Sequence, residues 1–265
     1  MELRQRALDA FCETDPQRKV NATHALWEAR SSLALQSQAQ LDRQVSPGRP
    51  VLPRMVNPQQ VPRRSPFTAL GHAALMHSIA HIEFNAINLA LDAVWRFAQM
   101  PADFYQDWLR VADEEARHFS MLQDHLHTLG YTYGDFPAHE GLWTLCEATR
   151  HSVTSRMALV PRTLEARGLD ATPVIQEKLL KVGNAQALAA IAILDVILAE
   201  EVGHVAIGNR WYHWLCKRDG LDPRAFYAQE VATHRAPAPK PPFNLGARRR
   251  AGFTEVEIQA LTVRS

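Results

Sequence analysis

Residues 111–122 read VADEEARHFSML, and the pattern Glu-x-x-His within them, Glu115 and His118, recurs as Glu201 and His204. On an α-helix, residues three apart lie on the same face about one turn apart, so each pair aims a carboxylate and an imidazole at one point. Two such helices packed together supply half of a carboxylate-bridged dimetal site. The other half is one Glu from each of two further helices.

Four long segments carry apolar residues at every third or fourth position, which is typical of amphipathic helices. Strand-type alternation of any length is absent from the sequence, so we predict an all-α fold. Short or moderate loops join the segments, which favours antiparallel neighbours in one four-helix bundle. Gly130 is expected to end the second helix, and Pro173 to begin a short helix leading into the fourth. The four segments cover about residues 70–99, 102–129, 141–167 and 184–217.

Two further glutamates complete the predicted ligand set. Glu83 lies on the apolar stripe of the first segment and precedes Glu115. Glu165 lies on the third segment and precedes Glu201 by an interval of similar length, so the two halves of the chain look like a duplicated helix pair. Glu147 is the alternative on the third segment, but choosing it would make the second interval much longer than the first.

The sequence allows more than one role for several polar residues near these ligands. Glu114 and Glu200 each precede a predicted ligand, and each either accepts a hydrogen bond from a ligand histidine of the facing helix or is a solvated surface charge. Asp195, inside an apolar helical stretch, is another candidate acceptor. His81 and His151 are candidates for lining a substrate cavity. The other histidines of these segments are expected to be surface or core residues.

The rest of the chain surrounds the bundle. The extended connector at residues 46–67 holds six prolines and little periodicity. Thr254 and Glu257 form a possible capping box at a short final helix. We therefore expect three regions: N-terminal helices with the connector at 1–69, the bundle at 70–218, and a C-terminal helix with a tail at 219–265.

Composition sets the class of protein. The chain has 265 residues, of which 46% are hydrophobic and 22% charged, with a formal net charge of +1. That charge gives no global argument for nucleic acid or membrane as a partner. Three dispersed cysteines form no disulfide framework, which fits a reducing compartment. The N-terminus lacks the apolar run of a signal peptide, so a cytoplasmic protein is expected.

At its predicted metal ligands the chain resembles the ferritin-like superfamily. The six ligands, Glu83, Glu115, His118, Glu165, Glu201 and His204, match the dimetal ligand pattern of that superfamily in order. More specifically, several stretches are similar to a bacterial ferritin-like family numbered 455 among domains of unknown function. The resemblance implies a ferritin-like four-helix bundle with extra terminal segments, and it implies no particular reaction. The stretches that carry it are HIEFNAINLALD (81–92), VADEEARHFSML (111–122), YGDFPAHEGLW (133–143), RMALVPRTLEARGLD (156–170) and AEEVGHVAIGNRW (199–211).

The predicted donor set indicates the metal and the chemistry. Two imidazoles and four carboxylates suit Fe, Mn or a mixed Fe/Mn pair better than Zn or Mg. We expect two Fe ions, with Fe/Mn and Mn/Mn as alternatives. Two Fe(II) ions that share carboxylates can reduce O₂, so the main expectation is an O₂-dependent di-iron oxidase or hydroxylase. It would act on a small organic substrate with an electron donor, neither of which the sequence names.

Three other functions remain open at the level of sequence. An iron-handling or storage protein is disfavoured by the long connectors, which minimal storage bundles lack. A non-catalytic helical bundle would use the same glutamates and histidines as buried hydrogen-bonded pairs. A tRNA-modifying hydroxylase would contact phosphates through Arg248, Arg249 and Arg250, joined by Arg63 and Arg64, although a net charge of +1 favours a solvated tail.

Overall fold

The computed structural model describes residues 2–41 and 44–263, and within these ranges the chain is helical and has no strand. Residues 1, 42–43 and 264–265, which belong to the predicted terminal regions, lie outside the described residues. The prediction of an all-α fold is confirmed. Among the helices of the described ranges, none combines the length and apolar character needed to span a bilayer.

The described residues form α-helices of six to 35 residues, with a short 3₁₀ turn at Pro58–Gln60 and a π-helical turn at Val160–Glu165. In chain order the α-helices are α1 (Leu3–Cys12), α2 (Pro16–Ala29), α3 (Ala69–Arg96), α4 (Ala102–Thr128), α5 (Gly141–Ala148), α6 (Val153–Leu159), α7 (Ala166–Val182), α8 (Ala185–Asp219), α9 (Pro223–Thr233), α10 (Leu245–Arg250) and α11 (Glu255–Val263).

The helices group into two compact units, Met1–Gly141 and Leu142–Ser265. The first unit contains α1 to α4, and the second contains most of α5 and all later helices. The division into regions 1–69, 70–218 and 219–265 stays a prediction.

The first unit is built on a helical hairpin of α3 and α4, which pack along their length. The side chain of Thr68 caps α3 by accepting a hydrogen bond from the Gly71 amide. Pro101 immediately precedes α4, and Gly130, with φ of 79°, follows its end as the sequence predicts. Because the apolar stripes of both helices face each other, the hairpin core is almost completely buried.

Helices α1 and α2 pack on this hairpin, α1 against α3 and α2 against α4. Two buried cations hold them there. Arg4 donates hydrogen bonds to the carbonyl oxygens of Val94 and Trp95 near the end of α3, at 3.2 and 2.8 Å. Lys19 donates to the Phe11 carbonyl at 2.7 Å and to Asn88 Oδ1 at 2.6 Å. Helix C-termini attract such cations because their last carbonyl groups are unpaired.

The prediction of one long helix over residues 141–167 is wrong. The chain is non-helical between Ala148 and Val153, and a second helical run then continues through the π-helical turn into α7 as far as Val182. Pro161 accounts for the π-helical turn, because a proline removes a backbone donor and its ring clashes with the preceding turn. Pro173, expected to begin a separate helix, lies inside α7.

Two parts of the C-terminal tail, α10 and α11, make side-chain contacts within the second unit. Arg248 is buried and pairs with Asp170 of α7, with Nη2 2.6 Å from Oδ2 and Nε 3.1 Å from Oδ1. Arg162 of the π-helical turn donates to Asn209 Oδ1 of α8 at 2.5 Å and also pairs with Glu257 of α11. These contacts join the tail to the π-helical turn. The predicted capping box is confirmed, since Glu257 accepts from the amide of its capping threonine.

Candidate metal centre

The first half of the predicted ligand set lies within the first unit. Glu83 is midway along α3, and Glu115 and His118 are one turn apart on α4. His118 Nδ1 lies 3.3 Å from Glu83 Oε2 and 3.3 Å from Glu115 Oε2. All three side chains are buried, and one ligand atom from each lies within 4.8 Å of the others. We call Glu83, Glu115 and His118 the α3–α4 triad.

Burial changes the protonation of the α3–α4 triad. Burial raises the pKa of Glu83 well above its usual value, and the neighbouring charge of Glu115 raises it further. Burial alone would lower the pKa of His118, but its hydrogen bonds and charge interactions with Glu115 and Glu83 outweigh this effect and raise the pKa to about 11. Glu83 therefore favours its neutral form and His118 its protonated form, because ionised carboxylates in a volume shielded from water need a positive partner.

The donor atoms of the triad fit a transition-metal ion. Carboxylate oxygens and imidazole nitrogens ligate Fe and Mn, and both bind as deprotonated groups. A dication would take the place of the protons on Glu83 and His118 and would offset the repulsion that raises the pKa of Glu83 beside Glu115. The first unit thus holds a buried group that can bind a metal ion.

The second Glu-x-x-His pair lies within the second unit, on α8. Glu201 Oε1 is 3.7 Å from His204 Nδ1, and His204 is fully buried while Glu201 is 9% exposed. Glu165, the last residue of the π-helical turn, is 8% exposed. That turn packs against α8. The second unit therefore contains the same residue types as the triad, each in a buried position.

The alternative ligand on the predicted third segment has different surroundings. Glu147 lies on α5, where its side chain is 43% exposed and its Oε1 accepts a hydrogen bond from Arg150 Nη1 at 2.5 Å. A half-exposed carboxylate with an arginine partner keeps its charge at little cost and needs no metal. Burial therefore favours Glu165 over Glu147, and the assignment of Glu165 as a ligand stays a prediction.

The residues predicted to support the ligands differ in burial. The sequence places Asp195 inside an apolar helix, but its side chain is exposed and accepts a hydrogen bond from Gln176 at 2.7 Å. Its predicted role beside the ligands is wrong, because this exposed carboxylate is paired with Gln176 of α7 instead of a ligand histidine. Glu114 and Glu200 are half-buried, and their role as hydrogen-bond acceptors stays a prediction.

A polar and aromatic cluster beside the triad contains residues that the sequence did not single out. His81 lines a cavity, as expected, whereas His151 lies exposed in the turn after α5. His81 Nδ1 is 2.8 Å from the hydroxyl of Tyr133, and the ring of His77 stacks on Tyr133. The ring of Phe84 contacts Tyr133 as well. The signal available in the sequence was the i, i+4 spacing of the two histidines on α3, which places them on one face.

Comparison with known proteins gives a family but no reaction. The family described as "Protein of unknown function (DUF455)" matches residues 12–259. A protein of Haemophilus influenzae described as uncharacterized is 52% identical over 216 residues, which cover 79% of this chain and 74% of that protein. No solved structure matches the chain.

Proposed function

Because the chain belongs to the DUF455 family, whose description records no function, the reaction has to follow from the site, and we propose a di-iron carboxylate oxidase or hydroxylase that uses O₂ on a small organic substrate. One observation carries the proposal. It is the burial of Glu83, Glu115 and His118 in one cluster with His118 Nδ1 3.3 Å from both carboxylates.

The repeat of the ligand pattern supports two metal ions. Glu201 and His204 have the spacing of Glu115 and His118, and all four lie on long helices. Within the proposal, Glu83, Glu115 and His118 are three of the six metal ligands, and Glu165, Glu201 and His204 are the other three. A ferritin-like arrangement of the four long helical segments is part of the proposal, as are Fe/Mn and Mn/Mn as alternative pairs.

The chain's own side chains bind the ions and exclude water. When bound, two ferrous ions supply electrons for the reduction of O₂. Phe84 follows Glu83 on α3 and Phe119 follows His118 on α4, and their ring centroids are 5.4 Å apart. Both rings are almost completely buried. They therefore keep water from the part of the α3–α4 hairpin that holds the triad, which strengthens electrostatic interactions there.

Location and partners complete the proposal. We propose a cytoplasmic location, because all three cysteines are free, which fits a reducing compartment. We do not include RNA as a substrate. The cluster at Arg248 to Arg250 was the main argument for phosphate contacts, but Arg248 is buried against Asp170 and Arg249 pairs with Glu255.

Metal analysis of protein purified without added metal tests the proposal. We expect about two Fe or Mn per chain, and we expect the Glu115→Ala/Glu201→Ala double variant to lose most of the metal, because each substitution removes a carboxylate ligand from one half of the set. Glu147→Ala is the matched control, since Glu147 is a half-exposed glutamate paired with Arg150. Its metal content should equal that of the wild type.

The outcomes separate the candidate functions. The ferrous wild-type protein should consume O₂, and repeated turnover should require a reductant. Full metal occupancy in the double variant would refute the assigned ligands. Iron loading in the hundreds together with a large hollow assembly would indicate storage. A wild-type protein without any transition metal would indicate a non-catalytic bundle.

A further inference from the structure

A cavity of about 200 Å³ lies in the first unit, between the proline-rich connector and α3. It is smaller than the ~300–1,000 Å³ pockets that hold drug-sized ligands, so its size suits a small molecule. Pro53 and Phe84 contribute apolar surface, and His81 and Asn85 contribute buried polar groups. We call it the connector cavity. Its principal lining residues are Arg49, Pro53, His81, Phe84, Asn85 and Tyr133.

Arg49 supplies the charge of the connector cavity. Its side chain is 19% exposed, and its Nη2 donates to Asn85 Oδ1 at 3.3 Å while its Nη1 pairs with Glu140. Asn85 is in turn fixed by its own donation to the His81 carbonyl oxygen at 2.8 Å. A planar guanidinium held in this way presents its fork in a set direction, which is the geometry that recognises carboxylates.

The surrounding sequence reinforces the positive charge. Between Gln44 and Ile82 the chain contains four arginines and no Asp or Glu. Arg54, one of the four, is exposed and contributes to the cavity lining. The field at the cavity therefore comes from the arginines, and it attracts anions.

The protein itself shows which anion Arg49 accepts. Glu140 is a carboxylate, and it pairs with Arg49 while remaining 48% exposed. A side chain that is half in water loses little when it leaves its partner, because ion pairs at the surface are weak. A ligand carboxylate with an apolar body would replace Glu140 and would also bury its body against Phe84 and Pro53.

We propose that the connector cavity binds a small organic carboxylate, with the carboxylate paired to Arg49 and the apolar part packed on Phe84. Identifying this ligand as the substrate rests on the proposed function, whereas binding itself does not. Aromatic rings connect the connector cavity to the proposed metal ligands. Phe84 contacts Phe119 and Tyr133 with ring centroids 5.4 and 5.5 Å apart, and Phe119 adjoins His118 in the sequence.

Binding of benzoate and hexanoate to the full chain tests the proposal, measured by ligand-observed NMR titration. Benzyl alcohol serves as a neutral probe of similar shape. We expect at least one of the two carboxylates to bind, and benzyl alcohol to bind at least about tenfold more weakly than benzoate, because hydrogen bonds between charged groups are the strong ones. Equal binding of benzoate and benzyl alcohol, or no binding of either carboxylate, would overturn the proposal.

Two substitutions should change the affinity in opposite directions. Arg49→Gln should weaken carboxylate binding about tenfold or more, since it removes the charged donor. Glu140→Gln should tighten it, since it removes the internal competitor. Glu255→Gln is the matched control, because Glu255 is also an exposed glutamate paired with an arginine. It should leave the affinity unchanged.

Opposite changes in carboxylate affinity in the two variants would distinguish ligand binding from a purely structural role of the ion pair. If the pair between Arg49 and Glu140 only stabilised the connector, both substitutions would weaken binding together, and that result would refute the proposal. Glu140→Gln, at an exposed position, keeps the test valid if Arg49→Gln fails to fold. Inorganic phosphate that displaced benzoate as well as hexanoate does would contradict the carboxylate class. Metal content is measured on the same samples, so a failure of the metal assignment is seen separately.

Discussion

Substitution of Gly208 by alanine tests how the π-helical turn that carries Glu165 is positioned. Gly208 lies on α8, and a Cβ atom placed on it would be 2.4 Å from Cβ and 2.7 Å from Cγ of Pro161. Carbon atoms prefer separations of about 3.5–4.0 Å. The proline ring cannot rotate away as a flexible side chain would, so either the π-helical turn or α8 has to move by about 1 Å.

The expected change in stability combines two opposing effects. Overpacking of a buried contact costs about 1–3 kcal/mol, and the severe overlap at Gly208 places it at the upper end. Replacing a glycine inside a helix by alanine gains about 1 kcal/mol. Gly208→Ala should therefore lower the free energy of unfolding by about 2 kcal/mol. Gly203→Ala, on the same helix, should raise it by up to about 1 kcal/mol, because a Cβ there meets nothing within 4 Å.

Thermal unfolding followed by circular dichroism measures this difference, on protein treated with a chelator so that ligation does not mask it. At roughly 2–4 °C per kcal/mol, Gly208→Ala should melt about 6–12 °C below Gly203→Ala. Metal content should also fall in Gly208→Ala and not in Gly203→Ala, because the displaced turn carries Glu165. Equal melting temperatures in the two variants, or a more stable Gly208→Ala, would refute the argument.

Two more predictions concern buried charge. Arg248→Met should destabilise the protein by about 3–5 kcal/mol in urea unfolding, because Asp170 stays buried and loses its charged partner. Arg249→Gln, at the neighbouring exposed position, should cause no measurable change. Similar losses of stability in both variants would show that Arg248 is not docked on Asp170. His77 and His81 have pKa values lowered to about 4 by burial, against 6.5 when unfolded, so the unfolded chain binds more protons and stability falls as the pH drops from 6.5 towards 4, by roughly 3 kcal/mol each at most. Urea midpoints at pH 7.5 and 5.0 measure this, and a His77→Gln/His81→Gln variant with an undiminished slope would contradict it.

The hairpin of the first unit could be predicted from the sequence because its signals are local. The sequence predicts the second segment at about 102–129, and the helix is Ala102–Thr128; it predicts the first at about 70–99, and the helix is Ala69–Arg96. Periodic apolar residues, a proline at the start of α4 and Gly130 after its end all agree, so each local preference supports the same structure. The Glu-x-x-His spacing on α4 follows from the same periodicity.

The bounds of α5, α6 and α7 could not be predicted, because tertiary contacts override local rules there. Pro173 is expected to begin a new helix, but α7 continues through it, with Leu169 and Leu179 buried on the helix that packs against α8. The π-helical turn depends on Pro161 and on the absence of a side chain at Gly208, which lies on a different helix far along the chain. No local pattern contains both residues.

The same limit applies to the charged tail and to the connector cavity. The partner of Arg248 is Asp170, 78 residues earlier, and the partner of Arg49 is Glu140, 91 residues later. A run of arginines therefore looks like a solvated cluster until the fold assigns each residue its partner. Sequence composition gives the sign of the charge near the connector, but only the fold shows that Asn85 orients one guanidinium at a cavity.

The unequal intervals from Glu83 to Glu115 and from Glu165 to Glu201 become equivalent when they are counted from the turns of the helical hairpins. Glu83 lies as far before Arg96, the last residue of α3, as Glu115 lies after Ala102, the first residue of α4. At about 1.5 Å per residue, both are about 20 Å from the turn. Two residues equally far from the turn of an antiparallel hairpin lie at the same level, which is why His118 reaches both carboxylates.

In the second hairpin, formed by α7 and α8, the two glutamates are again at nearly equal distances from the turn, and these distances are longer. Glu165 lies almost as far before Val182, the last residue of α7, as Glu201 lies after Ala185, the first residue of α8. Both are therefore about 25 Å from their turn. This interval is longer because the helical segments on both sides of the turn are longer, which outweighs the shorter turn, so Glu165 and Glu201 still lie at nearly the same level of the hairpin. Glu147 would lie far beyond that distance from the turn and has no counterpart at its level near Glu201, which is an argument for Glu165 that does not depend on its burial.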